Sequence, residues 1–316
     1  MSLLVVDGLS VGLVGSDAEL LRDVSFAVEP GKVVGLVGES GSGKTVASLA
    51  VMGLLPQAIE LRGGTISVEG RQVIDRETST VQRTSNEMAM IFQQPRSALN
   101  PTMKVGKQIA RVLKLNQGLH GGQARTEAVS MLSRVGIAGA ERVARAYPHQ
   151  LSGGMCQRVM IAMALACKPR VLIADEPTTA LDVTIQAQIF DLILDLVEET
   201  GSGVLFITHD LAAVAEMCDE VVVLYGGQVM EQGTTVEILE EPSHPYTRFL
   251  LEAIERDVDP RVEERGVNFG LTGCRFAHRC PHAFEACAEF PPLFEVQPGH
   301  SASCFLLEEE RIRVTT

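Results

Sequence analysis

The segment Gly38-Glu39-Ser40-Gly41-Ser42-Gly43-Lys44-Thr45 directly follows the apolar run Val33-Val34-Gly35-Leu36-Val37, and this pairing constrains the chain more than any other feature. A buried strand would deliver the loop, and a helix starting near Lys44 would aim its positive end at the same point. Glycines let successive backbone N–H groups turn inward around an anion, so Gly38, Ser40, Gly41, Ser42 and Gly43 read as a phosphate cradle. Lys44 would reach the β- and γ-phosphates. The Thr45 hydroxyl offers the neutral oxygen required by a hard cation that bridges phosphates, here Mg2+. Alone, the loop specifies a nucleoside triphosphate and nothing about its use.

At 316 residues the chain has room for two domains at the usual ~150 residues each. Its 40 acidic residues against 27 basic ones give a net charge of -13, which argues against a nucleic-acid partner. The amino-terminal Met1-Ser2-Leu3-Leu4-Val5-Val6-Asp7 lacks the basic segment and long apolar stretch of a secretion signal, and no apolar run reaches the ~20 residues that span a bilayer. The expectation is a soluble, cytoplasmic chain; if it works at a membrane, other subunits must hold it there. Of 7 cysteines, four crowd near the carboxyl end, which favours a metal site over disulfides.

The patterning predicts an α/β fold. Residues 1 to about 75 read as short strands (Leu3 to Val6, Leu20 to Val28, Val33 to Val37, Thr65 to Glu69, Gln72 to Ile74) that form a mixed sheet feeding the loop. Helical periodicity follows at Val105 to Leu115, Gln123 to Val135 and Gln157 to Ala166, a separate helical lobe. Strand and helix then alternate: Val171 to Ala174, a helical face from Ile185 to Val197, Val204 to Ile207 and Val221 to Tyr225, with Gly226-Gly227 turning into Gln228 to Glu231. Such alternation indicates parallel strands covered by helices. After about Gly233 the composition shifts to Pro, His, Cys and charge, which marks a boundary.

Two further segments fit the loop. Val171-Leu172-Ile173-Ala174-Asp175-Glu176 is an apolar strand ending in two carboxylates, where a doubly wound sheet presents ligands. Asp175 would bind Mg2+ through water, and Glu176 would polarise the attacking water. Leu151-Ser152-Gly153-Gly154-Met155 precedes the apolar helix from Gln157, offering a hydroxyl and free N–H groups at a helix amino terminus. The last segment resembles the LSGGQ signature of the ATP-binding cassette (ABC) family, with Met155 in the final place.

That resemblance covers residues 1 to about 235, with a helical subdomain at about 95–167. It implies a P-loop NTPase with a RecA-like parallel sheet, an antiparallel β subdomain and a helical subdomain. In the family two cassettes close head to tail, so Ser152, Gly153 and Gly154 would contact ATP held by the partner's loop. Gln93, in Met90-Ile91-Phe92-Gln93-Gln94, falls at the glutamine that senses Mg2+ and water and links to the membrane subunits. Ala180-Leu181-Asp182 matches the segment crossing the dimer interface, and His209 the switch histidine at the γ-phosphate. Where the family usually stacks adenine on an aromatic ring, this chain has Leu13.

Longer stretches resemble the ATPase subunits of dipeptide and oligopeptide importers, a group that includes nickel uptake systems. They are Tyr147 to Met155, Ala174 to Thr184, Ser97-Ala98-Leu99-Asn100-Pro101 and His244-Pro245-Tyr246-Thr247. The resemblance implies an energy-coupling ATPase on the cytoplasmic face of the inner membrane. Its partners would be a sister ATPase (as heterodimer or homodimer), two transmembrane permease subunits and, through them, an external solute-binding protein. Residues 236–316 would form that group's small irregular extension, in which Cys274, Cys280, Cys287 and Cys304 would hold a 4Fe-4S cluster as in some members. Chemically, four thiolates suit such a cluster or zinc, with His278, His282 and His300 leaving mixed ligation open. Cys156, Cys167 and Cys218 fall in or beside apolar helices and read as core. Other functions weighed are uptake of nickel or another small solute, a cassette ATPase acting on DNA or ribosomes, and a P-loop kinase. The second lacks its usual coiled-coil insertions or second cassette, and the third has no role for the signature or His209.

Overall fold

Runs of β-branched and aliphatic residues make the strands, and where each run is apolar on both faces the strand is covered on both sides. The computed structural model describes residues 2–75, 80–81, 87–179, 181–255 and 272–308. The chain opens with β1 (Leu4–Leu13), β2 (Glu19–Val28), β3 (Val33–Val37) and α1 (Lys44–Val51), followed by β4 (Ile59–Val68), β5 (Arg71–Asp75), β6 (Thr80–Val81) and β7 (Met88–Ile91). A helical lobe comes next: α2 (Pro95–Ala98), α3 (Val105–Gln117), α4 (Gly121–Arg134), α5 (Ala140–Ala144) and α6 (Gly153–Ala166). Then β8 (Val171–Asp175), α7 (Val183–Thr200), β9 (Gly203–Thr208), α8 (Leu211–Met217), β10 (Glu220–Tyr225) and β11 (Gln228–Thr234) complete the alternation. Helices α9 (Thr235–Glu240) and α10 (Pro245–Glu255) and the short strands β12 (Phe294–Gln297) and β13 (His300–Ala302) follow.

Two sheets result. The smaller is antiparallel in the order β2-β1-β4-β5-β6, and the larger runs β12-β13-β11-β10-β3-β9-β8-β7. Strands β10, β3, β9, β8 and β7 are mutually parallel, with β3 between β10 and β9. All five residues of β3 are buried. One apolar core joins both sheets to α1 through Leu4, Leu9, Leu36, Ala47 and Ile66. A second holds the helical lobe against the large sheet. In that lobe Val105, Ile109 and Leu113 recur at one-turn spacing on α3 and pack with Met131 and Leu132 of α4. Helix α6 is buried almost all round and sits against α2, α3, α4 and β7, so it ties lobe to sheet.

Residues 272–308 are mostly turns, yet β13 pairs antiparallel with β11 (Glu231 opposite Ala302) and extends the large sheet. The structure does not support the expected metal centre. Among the described residues no group of three or more His, Cys, Asp or Glu side chains is placed to hold a metal ion, so neither the 4Fe-4S cluster nor its zinc alternative is supported. All four cysteines are free thiols. Burial pushes the Cys274 thiol up to about 11 and that of Cys304 to about 12, and also raises Cys280, as expected of sulfurs packed as small hydrophobes. Cys274 and Cys280 pack with Tyr246, Leu250 and Phe276. The histidines are engaged elsewhere, His300 with Glu231 at 2.7 Å and His278 with the Tyr225 hydroxyl at 3.4 Å. The constraint that a metal would have supplied comes from strand pairing and from this apolar cluster. Cys156 is fully buried, while Cys167 and Cys218 are half-buried against the same cores.

Candidate functional site

Strand β3 ends at Val37, and the chain then turns through Gly38 to Gly43 into α1. Two glycines are dictated by geometry. Gly38 has φ 149°, and a Cβ there would lie 2.0 Å from the Leu224 carbonyl oxygen; Gly43 has φ 104°, with a Cβ 2.6 Å from Leu21 Cδ2. The loop closes on Lys44, whose Nζ donates to the carbonyls of Gly38 (2.7 Å) and Glu39 (2.9 Å) and to Ser42 Oγ (3.3 Å). Burial lowers the Lys44 pKa, and the nearby charges of Glu176, Asp175 and Glu39 oppose that shift. Ser40, Gly41 and Thr45 are exposed at the mouth of the loop.

Asp175, the last residue of β8, is 2% exposed. Burial pushes its carboxyl up to about 6, although hydrogen bonds from Thr45 and Ser48 and the Lys44 charge pull the other way. A buried carboxyl beside a hydroxyl supplies the oxygen donors that suit Mg2+, so the residues present fit that ion. The next residue, Glu176, has φ 47°, a left-handed conformation costing a side-chain-bearing residue roughly 1–2 kcal/mol. Three side chains converge on it. Gln93 Nε2 donates to Oε2 at 2.9 Å, Thr179 Oγ1 to Oε2 at 3.2 Å, and His209 Nδ1 lies 3.0 Å from Oε1. Burial pushes the Glu176 carboxyl up, but the hydrogen bonds from His209, Gln93 and Thr179 outweigh it, and the group lies below the usual range. Gln93 follows β7, Glu176 follows β8 and His209 follows β9, so three adjacent parallel strands deliver them to one edge of the sheet.

The predicted signature stands elsewhere, at the start of α6. Ser152 caps that helix, its hydroxyl accepting from Met155 N–H at 3.3 Å, and it is exposed, with Gly153 and Gly154 half-buried beside it. Asp182 caps α7 by accepting from Ile185 N–H at 3.1 Å. Ala180, its neighbour in the predicted interface segment, lies outside the described residues. Leu13 is exposed at the end of β1.

The sequence reading gave no role to three contributors. Thr179 steadies Glu176; its only signal was a hydroxyl three residues after the carboxylate. Gln157, 1% exposed, donates to the Pro177 carbonyl at 2.8 Å and so ties α6 to the loop after Glu176. A polar residue on the buried face of an apolar helix was the available signal. Glu39 is gripped from residues beyond 240, a contact invisible at sequence separations above 200.

Comparison with known proteins agrees with this arrangement. The ABC transporter family matches residues 21–179, half of the chain, and the C-terminal region of oligopeptide/dipeptide transporters matches residues 230–287. The chain belongs to the ABC transporter family. It is 45% identical over 300 residues to a probable peptide ABC transporter ATP-binding protein of Sinorhizobium fredii, covering 92% of this chain and 90% of that one. With the oligopeptide transport ATP-binding protein OppD of Salmonella typhimurium it shares 42% identity over 326 residues, 98% of this chain and 95% of the relative. The corresponding AppD of Bacillus subtilis is 44% identical, covering 91% and 90%. Among solved structures, an ATP-binding subunit of an ABC transporter superposes with a TM-score of 0.63 at 29% identity, covering 75% of this chain and 92% of that one. The ATP-binding cassette MJ0796, a dimer bound to ADP and Pi in a post-hydrolysis state, does so with 0.64 at 27% identity, covering 73% and 98%. This ABC protein is an ATPase of the family. No helix among its described residues is long and apolar enough to cross a membrane.

Proposed function

We propose that this ABC ATPase is the energy-coupling subunit of a peptide importer. The observation that carries the catalytic part is the convergence of Gln93, Thr179 and His209 on Glu176, next to the buried Asp175 and the glycine loop. The peptide assignment is supported by the likeness to OppD and AppD and by the match of residues 230–287.

In this reading the Lys44 ammonium and the N–H groups of the Gly38 to Gly43 loop, other than those of Glu39 and Ser42, hold the ATP phosphates. Thr45, Gln93 and Asp175 would hold Mg2+, which would supply neutralisation of phosphate charge. Glu176, kept ionised by its three partners, orients the attacking water and takes its proton. His209, 60% exposed at the rim, would swing toward the γ-phosphate. The segment Ser152 to Gly154, with Ser152 exposed, faces a partner cassette, and Asp182 lies along the same interface. Whether that partner is a second copy or a sister ATPase, each signature completes the other chain's loop. Gln93 and its neighbours pass the closure to two membrane permease subunits, which hold the protein on the cytoplasmic face. Reconstitution with its permease subunits and a solute-binding protein tests this: peptide uptake should require ATP and stop with Glu176→Gln. Uptake that proceeds unchanged with this variant would overturn the assignment.

A further inference from the structure

The phosphate loop is held from outside by the carboxyl-terminal part of the chain. Glu39, its second residue, forms a two-pronged ion pair with Arg279: Nη1 to Oε2 at 2.9 Å and Nη2 to Oε1 at 3.1 Å. Its backbone N–H donates to the Tyr246 hydroxyl at 3.0 Å. Its carbonyl accepts from Lys44 Nζ at 2.9 Å and from Ser42 N–H at 3.1 Å. One residue therefore bonds inward to the phosphate-binding lysine and outward to α10 and the extension.

The outer half of this clamp is a built joint. Side chains of Arg279 and Glu39 are only 9% and 13% exposed. The guanidinium lies 4.9 Å from the Phe249 ring centre, 5.6 Å from Tyr225 and 5.8 Å from Phe276, and Nη1 also donates to the Tyr225 hydroxyl at 3.1 Å. Tyr246 packs on Tyr225 (4.6 Å) and Phe276 (5.2 Å). The chain is only 4% aromatic, so three rings around one arginine, with Tyr246 packed on two of them, set this joint apart from a chance surface contact.

We propose that Arg279 and Tyr246 are positioning residues of the nucleotide site, through which the carboxyl-terminal extension presets the phosphate loop for the triphosphate. The proposal rests on the reading of Gly38 to Thr45 as the phosphate cradle. Two physical effects act together. Holding Glu39 at its carboxylate and its N–H fixes the carbonyl that Lys44 bonds, so less ordering remains when phosphate arrives. Arg279 also neutralises a half-buried carboxylate within an anion-binding loop; without it, Glu39 would repel phosphate. Neither residue bonds Glu176, so the clamp acts on affinity and leaves the chemical step alone.

Titration of the full-length chain with a fluorescent N-methylanthraniloyl-ATP, alongside thermal melts, tests the clamp. Arg279→Met should weaken binding about tenfold, and Arg279→Lys less, since a point charge replaces the fork. Tyr246→Phe, which removes one hydroxyl and keeps the ring, should weaken it about threefold. Adding Glu39→Gln to Arg279→Met should recover most of the loss, because the uncompensated charge is then gone. In the assembled ATPase, KM should rise with kcat unchanged. Wild-type affinity in Arg279→Met and Tyr246→Phe would overturn the clamp whatever their melting temperatures; if Arg279→Met does not fold, Tyr246→Phe and Arg279→Lys decide. Lys44→Ala separates the two levels: unchanged binding there would remove the cradle reading itself, while lost binding there and wild-type affinity in the clamp variants would remove only the clamp.

Discussion

The phosphate loop and the signature segment are both glycine-rich turns into a helix, yet the chain treats them oppositely. Around the loop, Lys44 bonds back to Gly38 and Glu39, β10 crowds Gly38, and Arg279 and Tyr246 hold Glu39. At the signature, Ser152 is exposed and its hydroxyl serves only to cap α6 in the contacts described. The first is braced within its own chain; the second leaves its serine exposed at a helix amino terminus. That asymmetry fits the proposed site shared between two cassettes, in which each chain would supply one finished half and one half that faces away.

Several changes would sharpen or break this contrast. The largest effect belongs to Glu176→Gln, which should keep ATP binding and lower steady-state phosphate release by about 10²- to 10⁴-fold, since it removes the base and leaves the braced loop intact. Release near the wild-type rate would move the base elsewhere. Ser152→Arg should leave ATP affinity of the isolated chain unchanged while abolishing hydrolysis in the assembled pair. If the protein is a homodimer, mixing those chains with Lys44→Ala chains should restore some activity, because one composite site is then intact; no rescue in verified mixed dimers would argue that the signature works in its own chain.

Smaller effects probe the seams. Gln157→Leu removes the donor to the Pro177 carbonyl, leaving a buried acceptor unpaired at a cost of roughly 1–3 kcal/mol. A melt should show it, together with reduced hydrolysis as the loop after Glu176 loosens; an unchanged melting temperature would mean that water takes the place. Leu13→Tyr, on an exposed edge, should tighten ATP by about 1 kcal/mol and leave bare triphosphate unaffected. Equal effects on both ligands would show that position 13 does not face the base.

Much of this was legible in the chain itself. The loop, the strand ending in Asp175-Glu176 and the apolar helices announce themselves because each depends on residues close in sequence, where glycine freedom, capping and hydrophobic period act. Gln93 and His209 were reached through resemblance, since one glutamine or histidine carries no local signal. The four-cysteine spacing pointed to a metal, and the tertiary structure does not support one: no metal-holding group stands among the described residues, burial raises the thiols of Cys274, Cys280 and Cys304, and strand β13 anchors the segment instead. Local sequence thus determined where phosphate-binding and catalytic residue types stand. Only the tertiary structure decided that Arg279 and Tyr246 hold Glu39 and that Gln157 and Thr179 steady the loop around Glu176, because such contacts arise when sheet order brings together residues that are distant along the chain or, like Thr179, fixes which way a nearby side chain turns.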